Sequence, residues 1–262
     1  MVTPITDHPA RFSAPILDKM AELLDEFLVF PEKGKAKLID PMVGVGGAHS
    51  LANERIQTYG IELEPEWAAC HDDSRQGDAR HLRAAVKEHW GLDPGSFDCV
   101  CTSPAYASRM ADNFRGSMNE KCRDCNGTGG IGKPPHAATC ERCGGLGKAP
   151  SKRVGYTVSL GRDLSEGSGA ALQWSQGYRY LHEQIAVESC EVLKRGGLMV
   201  VNVSNHIRQK QVVRVVEWWL TMLMGTCGLD LVTAVPVRTR RMRYGENGEA
   251  RVDGEMILVL RK

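Results

Sequence analysis

Short apolar runs with strand-like character alternate with segments of helical periodicity along most of the chain. The strand-like runs are Ala36–Met42, Gln57–Glu62, Phe97–Thr102, Gly197–Val203, Asp230–Val237 and Met256–Leu260. The helical segments are Pro15–Phe30, Ala48–Ile56, Glu66–Asp73, Arg80–Trp90, Tyr178–Leu193 and Gln211–Met224. Strands separated by helices predict an α/β fold with a mostly parallel sheet covered on both faces.

Two stretches depart from this alternation. The last two strands follow each other through the polar segment Tyr244–Gly254, which predicts an antiparallel hairpin at the sheet edge. From Ala107 to Ser175 the chain is rich in Gly, Pro, Ser and charge and has no long apolar periodicity. That is too long for an ordinary loop, so we expect an insert with its own small fold and a mobile segment, Gly161–Gly169. The expected division is therefore residues 1–106, an insert at 107–175, and residues 176–262.

Composition narrows the function classes. The 262 residues are 42% hydrophobic and 25% charged with a net charge of +1, so a nucleic-acid surface would have to come from local patches. No apolar run is long enough to span a bilayer, and the N-terminus lacks the pattern of a secretory signal. We therefore expect a cytoplasmic protein without membrane contact. There, the nine cysteines are expected to be thiols or metal ligands.

The ends of the first three strands carry a pattern typical of nucleotide-type cofactor sites. Gly44 and Gly46 follow the first strand at a predicted strand-to-helix turn, where a ligand approaches the backbone closely. Glu62 ends the second strand about 20 residues later. Asp78 follows a further strand, the third in chain order, which is expected to end before Gly77. Carboxylates in these places converge on one crevice and bind ribose hydroxyls. The alternatives are an ordinary tight turn and acids that cap helices.

These residues resemble the motifs of the DNA amino-methyltransferase family. Asp40-Pro41-Met42-Val43-Gly44-Val45-Gly46 is similar to its Asp-Pro-Phe-x-Gly-x-Gly motif, and His8-Pro9-Ala10-Arg11-Phe12 to its N-terminal motif. The resemblance covers the chain except the insert. It implies a Rossmann-like class I methyltransferase sheet and an S-adenosylmethionine site. The residues that it places at the cofactor are Phe12, Asp40, Pro41, Gly44 and Gly46. Asp40 would lie near the amino acid part of the cofactor. The resemblance further places Glu62 on the ribose and Asp78 near the adenine.

Ser103-Pro104-Ala105-Tyr106, after the fourth strand, resembles the family's Ser/Asp/Asn-Pro-Pro-Tyr motif, with Ala105 in place of the second proline. An exocyclic base amine is a poor nucleophile because its lone pair is conjugated with the ring. The Ser103 hydroxyl and the Pro104 carbonyl would accept hydrogen bonds from the amine and aim its lone pair at the methyl group. Tyr106 would stack on the flipped base. The motif does not distinguish methylation of cytosine at N4 from methylation of adenine at N6. By itself, it also fits a β-turn with a packed tyrosine.

A C5-cytosine methyltransferase is disfavoured, because such an enzyme needs the cysteine of a Pro-Cys pair in this loop as its nucleophile, and here Ala105 follows Pro104. Cys99 and Cys101 lie before the motif, inside the strand, where small buried hydrophobic residues are expected.

The insert contains two Cys-x2-Cys pairs with spacing typical of structural zinc. Cys122, Cys125, Cys140 and Cys143 would form one closed four-sulfur site in a module of about residues 121–148. The glycines after each pair resemble DnaJ-type zinc modules. A redox dithiol is the alternative. Residues 121–153 contain seven Lys or Arg against two acids, which favours a nucleic-acid clamp over a solvated staple.

A second basic cluster follows the fifth long strand-like run. Its arginines are Arg238, Arg240, Arg241 and Arg243. They would contact phosphate groups, or alternatively protect a sheet edge from aggregation.

The function predicted from the sequence is methyl transfer to an exocyclic amine of a flipped base in double-stranded DNA, as in restriction–modification. Two alternatives stay open: an RNA base methyltransferase, and a nucleic-acid-binding protein in which Ala105 has impaired catalysis.

Overall fold

The computed structural model describes residues 12–105, 125, 128, 130–131, 138–139, 156, 160, 162–172, 174–208, 210–239, 252 and 254–262. All structural statements below concern these residues. His8, Pro9, Ala10 and Arg11 of the N-terminal motif lie outside them.

A seven-stranded sheet forms the centre of the molecule. Its strands are β1 (Ala36–Asp40), β2 (Ile56–Glu62), β3 (Ser74–Gln76), β4 (Phe97–Thr102), β7 (Leu193–Val203), β10 (Asp230–Arg238) and β11 (Gly254–Arg261). Their order across the sheet is β3-β2-β1-β4-β7-β11-β10. Only β11 runs antiparallel, pairing with β7 on one side and with β10 on the other. This is the mostly parallel, Rossmann-like sheet that the sequence predicts, and the antiparallel edge hairpin is confirmed.

Helices cover both faces of the sheet. Helix α1 (Ala14–Phe27) packs on one face through Ile16, Met20 and Leu24. The other face is covered by α3 (Leu82–Trp90), α4 (Gln176–Val192) and α5 (Val215–Gly225). The strands feed the two layers by alternation: on β7, Leu198 and Val200 face α1, while Met199 and Val201 face the opposite layer.

The cysteines of β4 belong to this core. Cys99 and Cys101 are completely buried on the α1 face, and the Cys101 thiol lies 3.6 Å from the sulfur of Met20. Burial raises the pKa of both thiols, so neither is a nucleophile. The expectation that they are small core residues is confirmed.

Several predicted helices are shorter than expected. After the glycine turn there is only a 3-10 helix, Gly47–Leu51, where Ala48–Ile56 was predicted, because β2 begins at Ile56. In place of the predicted helix Glu66–Asp73, α2 spans Pro65–Ala68.

Other local structure is new relative to the sequence pattern. A small hairpin, β8 (His206–Arg208) with β9 (Gln211–Val213), precedes α5, and only its second strand lies in the predicted helix Gln211–Met224. Within the insert, β5 (Gly130–Ile131) pairs antiparallel with β6 (Ala138–Thr139). Among the described residues, no helix combines the length and apolar character that crossing a bilayer requires.

Candidate active site

The glycine turn lies at the carboxyl end of β1, and its shape depends on glycine at two positions. Gly44 and Gly46 have φ angles of +57° and +91°, in the left-handed region that L side chains rarely adopt. A Cβ on the next residue, Gly47, would lie 2.7 Å from the ring of Phe12. Phe12, the only described residue of the N-terminal motif, therefore packs against the glycine turn.

Asp40 and Glu62 end neighbouring parallel strands, where Asp40 pairs with Gly60 in the register. Asp40 is fully buried, as is Pro41 beside it. Asp40 Oδ1 accepts from the Met42 N–H at 3.0 Å, and Oδ2 has no hydrogen-bond partner among the described residues. Glu62 Oε2 accepts from the Gly44 N–H at 2.8 Å, and its Oε1 from the Glu64 N–H at 2.9 Å. Glu62 thereby fixes the glycine turn from the adjacent strand.

Burial determines the electrostatics of this acid pair. Desolvation raises the pKa of Asp40 to about 7, with the Thr102 side chain and the Met42 N–H offsetting part of the rise. Desolvation likewise raises the pKa of Glu62 to about 7, against its two backbone hydrogen bonds and with added repulsion from Glu64 and Asp40. Two buried carboxyls with perturbed pKa values at strand ends are typical of a ligand site.

The buried Asp40 carboxyl makes stability depend on pH. In an unfolded chain an Asp titrates near pH ~4, so between pH ~4 and 7 the folded chain holds a proton that the unfolded chain releases. The Asp40 contribution to the free energy of unfolding therefore falls as pH rises through this range. Asp40→Asn keeps an oxygen for the Met42 N–H and removes the titration. We expect this variant to be more stable than the parent at pH 7.5 by on the order of 2 kcal/mol, a difference that shrinks towards pH 4.

Urea unfolding of both chains across this range checks the expectation. His49 and His182, whose pKa values burial lowers to about 4, titrate in both chains, so their contributions cancel in the difference. The pKa of Glu62, raised to about 7 by burial and in smaller part by Asp40, should fall in the variant, which adds to the difference in the same direction. A difference between parent and variant that does not change with pH would contradict it.

Asp78 is placed differently from the other two acids. It is half-buried and follows β3, where its Oδ1 accepts from the Arg80 N–H at 2.9 Å and from Arg80 Nε at 3.0 Å. Burial alone would raise the pKa of Asp78, but the hydrogen bonds and charge of Arg80 lower it. In this structure, Asp78 is thus engaged by Arg80.

The predicted catalytic loop leaves the carboxyl end of β4, next to β1 in the sheet. Ser103 is half-buried and Pro104 is buried. Two residues that the motifs did not single out hold the loop. Asn202 Nδ2 on β7 donates to Ser103 Oγ at 3.1 Å, and the Tyr178 hydroxyl on α4 donates to the Ala105 carbonyl at 2.7 Å. Tyr106 lies outside the described residues.

The Tyr178 hydroxyl fixes Ala105 through its carbonyl. Tyr178 is fully buried and packs against His182 and Trp174. Removing the hydroxyl with Tyr178→Phe leaves this packing in place and frees the loop, which should cost about 1 kcal/mol of stability. Tyr180→Phe, on an exposed side chain of the same helix, is the matched control. Urea unfolding of both variants checks this, and equal stability of Tyr178→Phe and Tyr180→Phe would contradict it.

The end of the insert packs against the candidate site. Arg162 Nη2 donates to Glu64 Oε2 at 2.7 Å, and its Nε donates to Glu66 Oε1 at 2.8 Å. The Ser165 N–H and hydroxyl both donate to the buried Glu64 carboxylate, at 2.9 and 2.8 Å. In the segment Gly161–Gly169, for which the sequence predicts mobility, Arg162 and Ser165 are thus attached to the β2–α2 connection by ion pairs and hydrogen bonds.

A second contact of the insert is aromatic. Tyr156 packs edge-on against Trp67 of α2 with ring centroids 5.5 Å apart, in a cluster with Leu160 and Val45. Burial, with the nearby charge of Glu62, raises the pKa of Tyr156. The insert thus contributes to the walls around Glu62 and the glycine turn.

The other predicted sites lie largely outside the described residues. Of the four zinc cysteines, only Cys125 is described, and it is buried, whereas Cys122, Cys140 and Cys143 are not described. Of the basic cluster, Arg238 is exposed at the end of β10, and Arg240, Arg241 and Arg243 are not described. These predictions stay predictions.

A different group of possible metal ligands lies beside the glycine turn: His49, His71 and Asp73, whose ligand atoms fall within 4.8 Å of one another. Both ring nitrogens of His49 are already hydrogen-bonded, to the Thr58 hydroxyl at 2.9 Å and the Ser74 hydroxyl at 3.0 Å. His71 instead stacks on His49 at 3.9 Å between ring centroids. We therefore interpret this group as packing under the turn.

Comparison with known proteins gives structural likeness without sequence likeness. No family model matches the chain. No curated protein sequence matches it either. Among solved structures, a geranyl diphosphate methyltransferase in complex with GPP and sinefungin is 12% identical over 94% of this chain and 78% of that chain, with a TM-score of 0.47. The [4+2]-cyclase SpnF is 14% identical over 98% and 85%, also with a TM-score of 0.47. An rRNA methylase from Streptococcus thermophilus is 10% identical over 97% and 99%, with a TM-score of 0.44. Likenesses of this degree carry no inference about activity, which has to come from the site.

Proposed function

We propose that this chain is an S-adenosylmethionine-dependent methyltransferase that acts on an exocyclic amine of a DNA base. One observation carries the proposal. Asp40, Glu62 and Ser103 end or follow three adjacent parallel strands, in the order β2-β1-β4, and the glycine turn lies between the two acids in the chain. Ligands of open α/β sheets bind at the carboxyl ends of such strands.

The residues at these strand ends fit the cofactor. Asp40 Oδ2 is a buried acceptor without a partner among the described residues, which suits an ammonium or amide donor. Gly44 and Gly46 present backbone without side chains. Glu62 already holds the turn through two N–H groups, and a carboxylate has further lone pairs for ribose hydroxyls. Asp40 would hold the amino acid part of the cofactor, and Glu62 would hold its ribose. Phe12 would pack over the glycine turn, and Asp78 would lie near the adenine.

The bound cofactor supplies an electrophilic methyl group on a sulfonium. The chain has to supply an acceptor pair for the amine. The Ser103 hydroxyl and the Pro104 carbonyl would each accept a hydrogen bond from the amine. These bonds would draw the nitrogen out of conjugation and aim its lone pair at the methyl group. This methyl group would pass to the nitrogen, with the leaving electron pair remaining on the sulfur of the cofactor, and the methylated amine would lose one proton to water. Tyr106 would stack on the flipped base.

DNA rather than RNA is proposed because the motifs follow the order of the DNA amino-methyltransferases that the sequence resembles, including His8–Phe12. We infer phosphate contacts from the basic insert and from Arg238, Arg240, Arg241 and Arg243, the first of which is exposed at the edge of the sheet.

Calorimetry with the cofactor, combined with tritiated-methyl transfer to DNA and to RNA, tests the proposal. We expect cofactor binding and label in DNA. Label in RNA alone would favour the RNA methyltransferase, and cofactor binding without any transfer would favour an impaired nucleic-acid-binding protein. Absence of cofactor binding would overturn the proposal.

We also propose that the insert holds a structural zinc ion through Cys122, Cys125, Cys140 and Cys143, because the paired spacing gives a closed four-sulfur set. Freshly purified, reduced chain is expected to contain about one zinc per molecule by elemental analysis. Cys140→Ser should lower the zinc content strongly, whereas Cys70→Ser, at a cysteine of the methyltransferase domain, should not. Zinc-free parent protein would contradict the assignment.

A further inference from the structure

The strand next to the catalytic loop carries one polar residue in an apolar run. Residues 198–203 of β7 are Leu-Met-Val-Val-Asn-Val, and Asn202 is 1% exposed. β7 lies in the interior of the sheet, between β4 and β11. Burying an amide is costly unless it is hydrogen-bonded, so its contacts indicate why it is there.

The Asn202 side chain joins the catalytic loop to an acid on the neighbouring strand. Its Nδ2 donates to Ser103 Oγ at 3.1 Å and to Glu255 Oε2 at 2.6 Å. Glu255 belongs to β11, whose register places Ile257 opposite Asn202. An amide nitrogen carries two hydrogens, and here each has an acceptor.

We propose that Asn202 and Glu255 are positioning residues that hold the Ser103 hydroxyl as an acceptor for the substrate amine. The inference rests on the proposed function, which gives Ser103 that role. Because the Asn202 nitrogen can only donate, one lone pair of Ser103 Oγ is committed to it. The O–H and the second lone pair of Oγ then share the two remaining tetrahedral directions, and the hydroxyl can accept from the amine along one of them.

Glu255 gives this arrangement its direction. An asparagine side chain could also turn its oxygen towards Ser103 and the acid. That orientation would place an amide oxygen against the carboxylate of Glu255, and the two acceptors would repel. The acid therefore selects the orientation in which nitrogen faces Ser103, and Ser103 remains an acceptor instead of donating its proton to the amide.

Three substitutions separate positioning from simple packing. Asn202→Asp conserves shape but replaces the donor by an acceptor beside Glu255. Glu255→Ala removes the acid, and Glu255→Gln keeps an acceptor oxygen for Asn202. Gln57→Glu and Glu217→Gln make the matching charge changes at exposed positions of β2 and α5.

The measurements are kcat and KM for methyl transfer to DNA, cofactor affinity by calorimetry, and urea unfolding. We expect Asn202→Asp and Glu255→Ala to lower kcat by about tenfold, less than the loss of a direct oxyanion-type donor, with KM and cofactor affinity changed by less than about twofold. Glu255→Gln should restore most of kcat, and the exposed controls should match the parent. Should Asn202→Asp not fold, the Glu255 pair still decides the question.

Parent kcat in both Asn202→Asp and Glu255→Ala would overturn the inference, as would equal kcat in Glu255→Ala and Glu255→Gln. These outcomes leave the proposed function standing, because the parent chain still transfers methyl groups. A parent chain that binds cofactor yet methylates no nucleic acid overturns the proposed function, and the inference falls with it.

Discussion

Asp40→Ala or Glu62→Ala is expected to weaken S-adenosylmethionine binding by at least about 100-fold, the largest effect that the structure predicts on affinity. A buried carboxylate hydrogen-bonded to a ligand contributes about 2 to 5 kcal/mol when its removal leaves the partner unpaired. Asp40 offers a buried oxygen with no partner among the described residues, and Glu62 fixes the N–H of Gly44 in the turn. Calorimetric titration with the cofactor measures the effect.

The two substitutions differ in their expected effect on the fold. Asp40→Ala removes a carboxyl whose burial is unfavourable at neutral pH, so stability should not fall for that reason. Glu62→Ala leaves two backbone N–H groups unpaired and is expected to destabilise the turn. Glu62→Gln keeps one acceptor oxygen, so it is measured alongside as the less disruptive variant. Glu54→Ala, at an exposed position, is the control. Parent affinity in both the Asp40 and Glu62 variants would place the cofactor pocket elsewhere.

Ser103→Ala is expected to lower the rate of methyl transfer by about 10², by analogy with the loss of one electrostatic donor from an oxyanion hole, with cofactor affinity unchanged. Tyr106→Ala should also lower transfer, since stacking of an aromatic side chain on a base contributes about 1 to 3 kcal/mol. Neither substitution touches the acids of the cofactor site. Single-turnover transfer to DNA, alongside calorimetry, separates the two effects.

The controls for this loop come from its own surroundings. Ser96→Ala removes an exposed hydroxyl just before β4 and should have no effect on transfer. Ala105→Pro should leave activity equal or higher, because it stiffens the loop and keeps the carbonyl to which Tyr178 donates. Parent rates in both Ser103→Ala and Tyr106→Ala would show that the loop is not the active site.

The features that the sequence predicts well are those with a local pattern. Short apolar runs locate the long strands, and residue types at strand ends draw attention to Asp40, Gly44 and Glu62, since parallel neighbours bring these ends together. The weaker predictions concern helix length. After Gly47 the apolar pattern continues, but the chain forms only a 3-10 helix, Gly47–Leu51, before β2 begins at Ile56.

Contacts between distant parts of the chain could not be predicted in this way. Tyr178 and the loop at Ala105 are 73 residues apart, and Arg162 and Glu64 are 98 apart. No local periodicity encodes such pairs. Asn202 did leave a signal, a single amide in a central apolar strand, but its partners Ser103 and Glu255 become evident only from the strand order.

Identification of the modified nucleoside tests the central claim most directly. DNA is incubated with the purified chain and S-adenosylmethionine, digested to nucleosides and analysed by mass spectrometry against an incubation with the Ser103→Ala variant. A direct transfer to an exocyclic amine predicts N4-methylcytosine or N6-methyladenine in the parent sample, strongly reduced with the variant. Methylation at cytosine C5, or no methylated nucleoside in DNA, would contradict it.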